Sequence, residues 1–115
     1  MTEIQNSKHY DLEERTYQFA GQCRDFIKQL PRNISNVEYG KQLVRSSGSV
    51  AANYIEANES LSKKDFFHRV KICRKEVKES CLWLRLCEGN EYPAVLINEA
   101  TELMKIFGAI IEKSK

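Results

Sequence analysis

One stretch restricts the possible folds of this chain more than any other. Across residues 63–88, Phe66, Val70, Cys73, Val77, Cys81 and Leu84 recur at steps of 4, 3, 4, 4 and 3, the spacing that keeps side chains on one face of an α-helix. Neither Gly nor Pro interrupts the run before Gly89, and Ser62 with Asp65 three residues later has the form of a capping box. At about 1.5 Å per residue such a helix is roughly 39 Å long. A rod of that length must bury its apolar seam, so the rest of the chain has to supply partners. On a neighbouring face Lys64, His68, Lys71, Lys75 and Lys78 repeat at 4, 3, 4 and 3, with Arg74 and Arg85 nearby. Residues 63–88 carry eight Lys or Arg against four acids, a surplus of +4 in a chain of net charge +2, which leaves −2 for the remainder.

The partners are legible on either side. With 115 residues there is room for one domain and one core. Only 5 Gly and 2 Pro, beside 42% hydrophobic and 30% charged residues, fit an all-α chain better than a many-turned β one. Residues 1–10 lack periodicity and are expected to be a frayed or disordered tail, leaving 11–115 as the domain. Asp11 with Glu14 forms a second capping-box pattern, and Thr16, Phe19, Cys23, Phe26 and Leu30 then step at 3, 4, 3 and 4 until Pro31 ends the helix.

A second helix is expected from about Asn36. Its stripe is Val37, Gly40, Leu43 or Val44, Ser47, Val50 or Ala51, and Tyr54 or Ile55. Its middle is unusually small, and Gly48 there suggests either a tight helix crossing or a tolerated surface position. Ser46, Ser49, Asn53, Glu56 and Ser60 share a flank that reads as a solvated face or as a polar inter-helix or inter-subunit seam. Gly89 and Asn90 suit a left-handed helix end, and Pro93 suits the first turn of a fourth helix whose stripe is Leu96, Ala100, Leu103, Phe107 and Ile110. Helices near 11–30, 36–59, 63–88 and 93–113 with short loops give an antiparallel up-down-up-down four-helix bundle.

The residues argue against an enzyme. A di-metal bundle site needs Glu-x-x-His on two helices, and only Asp65-x-x-His68 comes near. Glu76 and Glu79, near Glu56 of helix two, read as solvated ion-pair partners of Arg69, Arg74 and Lys75. Cys23, Cys73, Cys81 and Cys87 form no C-x-x-C pair and read as small buried hydrophobes in a reducing compartment. His68 and Cys73 diverge on one helix, His9 lies in the tail, and no Gly-rich phosphate loop occurs. No cofactor, metal or small-molecule substrate is therefore expected. The polar N-terminus and the lack of a long apolar run imply a cytoplasmic protein with no membrane partner. On charge alone the lysine stripe reads first as a solvated helix face and second as a surface for a phosphate backbone.

Specific motifs then add a family. Tyr10-Asp11-Leu12, the run Gln42-Leu43-Val44-Arg45-Ser46-Ser47-Gly48-Ser49-Val50-Ala51-Ala52-Asn53-Tyr54-Ile55-Glu56, and Glu76-x-x-Glu79 with Trp83-Leu84 resemble the bacterial four-helix bundle proteins known as 23S ribosomal RNA intervening-sequence proteins. The resemblance covers nearly the whole chain, although the family's usual Gly after the motif glutamate is Ala57 here, implying a helix that continues to about Asn58. It implies a homopentameric ring, no established catalysis, and a relation to the accessory proteins of diversity-generating retroelements, which bind RNA and a reverse transcriptase. Asn53 and Glu56, with Glu76 and Glu79, are carried over as structural residues. Apolar side chains outside the main seam, Phe67, Trp83 and Leu86, suit a closed ring. The expected function is non-catalytic binding of RNA or another nucleic acid, or of a nucleic-acid-bound protein, through Lys64, His68, Lys71, Arg74, Lys75, Lys78 and Arg85. The alternative is a protein–protein scaffold with no nucleic-acid activity.

Overall fold

The computed structural model describes residues 11–115. The tail expectation for residues 1–10, with His9 and Tyr10, lies outside them. Four helices follow in order: α1 (Leu12–Lys28), α2 (Ile34–Asn58), α3 (Lys63–Leu86) and α4 (Ala94–Glu112), with no strand among the described residues. Each helix packs on its chain neighbours and α4 returns to α1, giving a four-helix bundle of 44 × 27 × 20 Å. The core runs through Phe19 and Cys23 of α1, Leu43, Val50 and Tyr54 of α2, Val70, Cys73, Val77 and Leu84 of α3, and Leu96, Ala100, Leu103 and Phe107 of α4. Where two neighbours competed for the α2 stripe, Leu43, Val50 and Tyr54 face inward, while Val44 and Ile55 remain about half exposed. The α1 and α4 helices touch each other least. Arg15 clamps them with two hydrogen bonds to the Glu99 carboxylate, Nε to Oε2 at 2.7 Å and Nη2 to Oε1 at 2.9 Å. Such a forked pair is geometrically specific as well as charge-assisted.

The helix ends correct several expectations. Ser62 caps α3 by accepting from the Asp65 N–H at 3.1 Å, but Asp11 makes no capping bond with its side chain. The α2 helix starts earlier than Asn36, because Asn33 Oδ1 accepts the Asn36 N–H at 2.8 Å and so caps it. Asn36 itself is buried, and its side chain does tertiary work. Its Nδ2 donates to Pro31 O and Glu88 O, and its Oδ1 accepts the Glu88 N–H at 2.9 Å. This capture of the Glu88 backbone explains why α3 stops at Leu86 instead of running to 88: Cys87 turns to an extended conformation at φ −65°, ψ 141°. No described residue has positive φ, so the left-handed helix end expected at Gly89 and Asn90 does not form. Gly89 supplies space instead, since a Cβ there would meet Leu30 Cδ2 at 3.1 Å.

Small residues of α2 behave differently from one another. A Cβ on Gly40 would lie 3.3 Å from Ile27 Cγ2, which places the tight α1–α2 approach there. Gly48 is exposed and a Cβ on it would meet nothing within 4 Å, so of its two readings, a tight crossing or a tolerated surface position, the monomer shows the second. The polar flank of α2 is a seam over part of its length and solvated over the rest. Ser46 and Ser80 are buried with their hydroxyls 2.8 Å apart, and Arg69 donates from Nη1 to Asn53 Oδ1 at 3.0 Å. Glu56, beyond them, is exposed.

Candidate nucleic-acid interface

The α3 helix is flanked by α2 on one side and α4 on the other, so one strip of its surface has none of the four described helices against it. Lys64, His68, Lys71, Lys75 and Lys78 all fall on that strip and are all exposed, as are Arg74 and Arg85. From Lys64 to Lys78 the strip extends about 21 Å at the helical rise of about 1.5 Å per residue. Among the described residues, Lys75 is the one member of the stripe with a carboxylate in ion-pair range, Glu76 Oε2 at 3.9 Å. Arg74 lies toward α4, its Nε 3.7 Å from where a Cβ on Gly108 would stand, so the basic surface spreads into the α3–α4 groove.

The acids of α3 are disposed otherwise. Glu76 is buried, with a side chain only 8% exposed, and does not form the solvated pair expected of it. Its partner and that of Glu79 is Arg45 of α2, which donates from Nη2 to Glu79 Oε1 at 2.9 Å. Glu76 Oε1 lies 3.3 Å from the same Nη2 but out of hydrogen-bond alignment, so charge alone holds it. Glu56 sits about three helical turns further along α2 than Arg45 and lines a depression with Glu59, Asp65, His68 and Arg69. The four motif residues therefore occupy different settings: Asn53, Glu76 and Glu79 tie α2 to α3, and Glu56 faces solvent.

Removing Arg45 should expose the cost of burying Glu76. Arg45→Ala is expected to destabilise the fold by about 2 kcal/mol, below the ~3–5 kcal/mol of a fully buried pair because Arg45 is half exposed. Glu76→Gln in that background should restore most of the loss, as measured by urea denaturation of the double-mutant cycle. Equal stability of the single and double variants would show that the Glu76 charge is already well solvated.

Trp83, read as an apolar side chain outside the main seam and suited to a ring, stacks on Tyr39 with ring centroids 5.8 Å apart and packs against the core of its own bundle. All four cysteines are free thiols, and Cys87 is buried along with Cys23 and Cys73. Cys73 Sγ donates to Val50 O at 3.5 Å inside the core while His68 is exposed, so the two cannot act as a pair. Among the described residues no group of His, Cys, Asp and Glu is placed to hold a metal, and no helix is long and apolar enough to cross a membrane.

The tertiary fold adds residues that periodicity within one helix does not reveal. Lys113 and Ser114, just past the end of α4, meet Lys63, Lys64, Phe67, His68 and Lys71 at the start of α3, around an open cleft of about 580 Å³. The antiparallel order of α3 and α4 is the signal that joins position 113 to position 63.

Fold and surface together define a small all-α four-helix bundle with one lysine-lined side. The chain matches the family model described as 23S rRNA-intervening sequence protein over residues 8–111 and belongs to that family. It is also similar to a crystal structure described as a protein with unknown function from the S23 ribosomal protein family from Bacteroides thetaiotaomicron VPI-5482. That likeness has a TM-score of 0.75 and 28% identity, and covers 86% of this chain and 96% of the other. No curated protein matches the chain.

Proposed function

We propose that this protein binds RNA or another polyanionic nucleic acid, without catalysis and largely without sequence preference, through the exposed side of α3. The observation that carries the reading is the exposure of the whole stripe, Lys64, His68, Lys71, Lys75 and Lys78, along one rigid helix with a single weak carboxylate contact among the described residues. Amines held in a row on a rod displace counterions from a phosphate backbone together, and ammonium groups serve as point charges that carry no base information. Membership of a family named for sequences within 23S rRNA supports the same ligand class. The protein acts in the cytoplasm as a homo-oligomer, a ring of five being the form implied by the motif resemblance. Exposed apolar side chains support self-association, Leu61 at 98%, Ile34 at 86% and Val95 at 79% among them. A ring would repeat the stripe once per protomer.

Titration of a labelled single-stranded RNA at two salt concentrations tests the proposal. With about four phosphates neutralised, doubling the salt should weaken binding roughly sevenfold. Lys71→Glu/Lys75→Glu should bind at least about tenfold more weakly at low salt and show a shallower salt response. A double variant that folds, assembles and binds as the parent does would make the stripe a solvated face. The scaffold reading, with a protein partner alone, would then stand, and its complexes would survive both nuclease and raised salt.

A further inference from the structure

Phe67 has no evident role in the fold. It is half-buried, yet it is absent from the side chains that pack against the core, a group to which its neighbour Phe66 belongs. The Phe66 ring meets it edge-on, with centroids 5.3 Å apart and planes at 75°, which holds the Phe67 ring in a set orientation. Phe67 lines the cleft where α3 begins and α4 ends, among Lys63, Lys64, Lys71 and Lys113, and among the described residues no Asp or Glu lines that cleft. The acids collect on the other side of His68, where Glu56, Glu59 and Asp65 line a separate depression. An aromatic side chain standing among lysines combines the two elements of single-strand recognition: a ring on which a base can stack and cations for the flanking phosphates.

We propose that this cleft is a base-stacking subsite, in which Phe67 takes one unpaired base while Lys63, Lys64, Lys71 and Lys113 hold the adjoining phosphates, so that the protein selects single-stranded over duplex RNA. The inference rests on the RNA-binding reading above and deepens it by naming the strand state of the ligand. A duplex presents its phosphates to the stripe equally well, but its bases are stacked on each other and unavailable to Phe67. The cleft volume of about 580 Å³ falls within the range of small-ligand sites.

The test compares three RNAs of equal phosphate number: an intact single strand, the same strand with its bases removed, and a blunt duplex. Each is titrated at low salt against the parent, Phe67→Ala and Phe67→Trp. The parent should bind the intact strand at least about fivefold more tightly than the abasic strand, and Phe67→Ala should erase that preference. The loss for the intact strand should be about 5- to 150-fold, equivalent to the ~1–3 kcal/mol of one stacked base, with abasic and duplex binding unchanged. Phe67→Trp should retain the preference. Because Phe67 lies outside the core, the Ala variant should keep its helical circular dichroism. Equal binding of all three RNAs by the parent, with no effect of Phe67→Ala, would overturn the stacking subsite while leaving the lysine stripe in place. Absent binding of every RNA by the parent would overturn both readings. A loss in Phe67→Ala that is the same for all three would likewise overturn stacking.

Discussion

Replacing Phe107 with Ala is expected to remove about 3–5 kcal/mol of folding stability, the largest effect of any single truncation considered in this bundle. Phe107 has no exposed surface, and it is among the largest fully buried side chains. From α4 its ring reaches Tyr54 of α2, with centroids 6.1 Å apart and planes at 37°. These helices are not direct neighbours in the bundle, so the contact lies across its centre. Truncation therefore removes apolar area and leaves a cavity between helices that are already held apart by their other neighbours, which limits collapse. Against a total stability of about 5–15 kcal/mol, such a loss takes a large share. Urea denaturation should show a lower midpoint with an unchanged slope. Val95→Ala, on the same helix but 79% exposed, should stay within about 0.5 kcal/mol of the parent. A loss below ~1 kcal/mol for Phe107→Ala would mean that α4 does not seat as described.

Alkaline pH should destabilise the fold nearly as much. Burial pushes the thiols of Cys23 and Cys73 up from 9.0 to about 12, opposed only in part by a hydrogen bond from Ser47 at Cys23 and, at Cys73, by a backbone hydrogen bond and then the Arg69 charge. Burial likewise raises the Tyr54 phenol above 10.0, with the Cys73 and Glu13 charges adding to it. The folded state thus holds these protons more tightly than the unfolded chain does. Their contribution is complete below about pH 9 and is lost as pH climbs toward 12, at about 1.4 kcal/mol per pH unit for each thiol. By pH 10.5 the two thiols together should cost about 4 kcal/mol. Stability measured by denaturation from pH 8 to 10.5 should fall less steeply in Cys23→Ala/Cys73→Ala, whatever that variant loses in packing at pH 8. The two curves should diverge above about pH 9 at about 2.7 kcal/mol per pH unit, to about 4 kcal/mol in all by pH 10.5. Parallel curves for the two proteins would show that the thiols already reach solvent.

The candidate interface was legible to the extent that it lies on one helix. Steps of 3 and 4 placed Lys64, His68, Lys71, Lys75 and Lys78 on one face, and their exposure follows because the helix buries its apolar seam and not that face. Phe67 read only as surplus apolar surface, because its significance depends on Lys113, which the α3–α4 turn brings back beside it. Glu76 and Ser80 lie on the α3 flank that meets α2 and are buried. Residue type made Glu76 a surface acid, yet the Arg45 charge faces it from α2, and the buried Ser80 finds the hydroxyl of Ser46.

By itself the sequence determined the number of helices, their order and the apolar stripe of each. The physical reason is local: the 3.6-residue period, the caps and the breakers act within a few residues of one another, and four seams in a chain this short have only one another to bury against. Tertiary structure alone decided the rest. Asn36 ends α3 by seizing the backbone of Glu88, Gly40 and not Gly48 marks the close helix approach, and Arg45 takes Glu76 and Glu79 of α3. Each of these depends on the rotation and axial register of one helix against another, quantities set by side-chain packing between segments distant in the chain and carried by no local pattern.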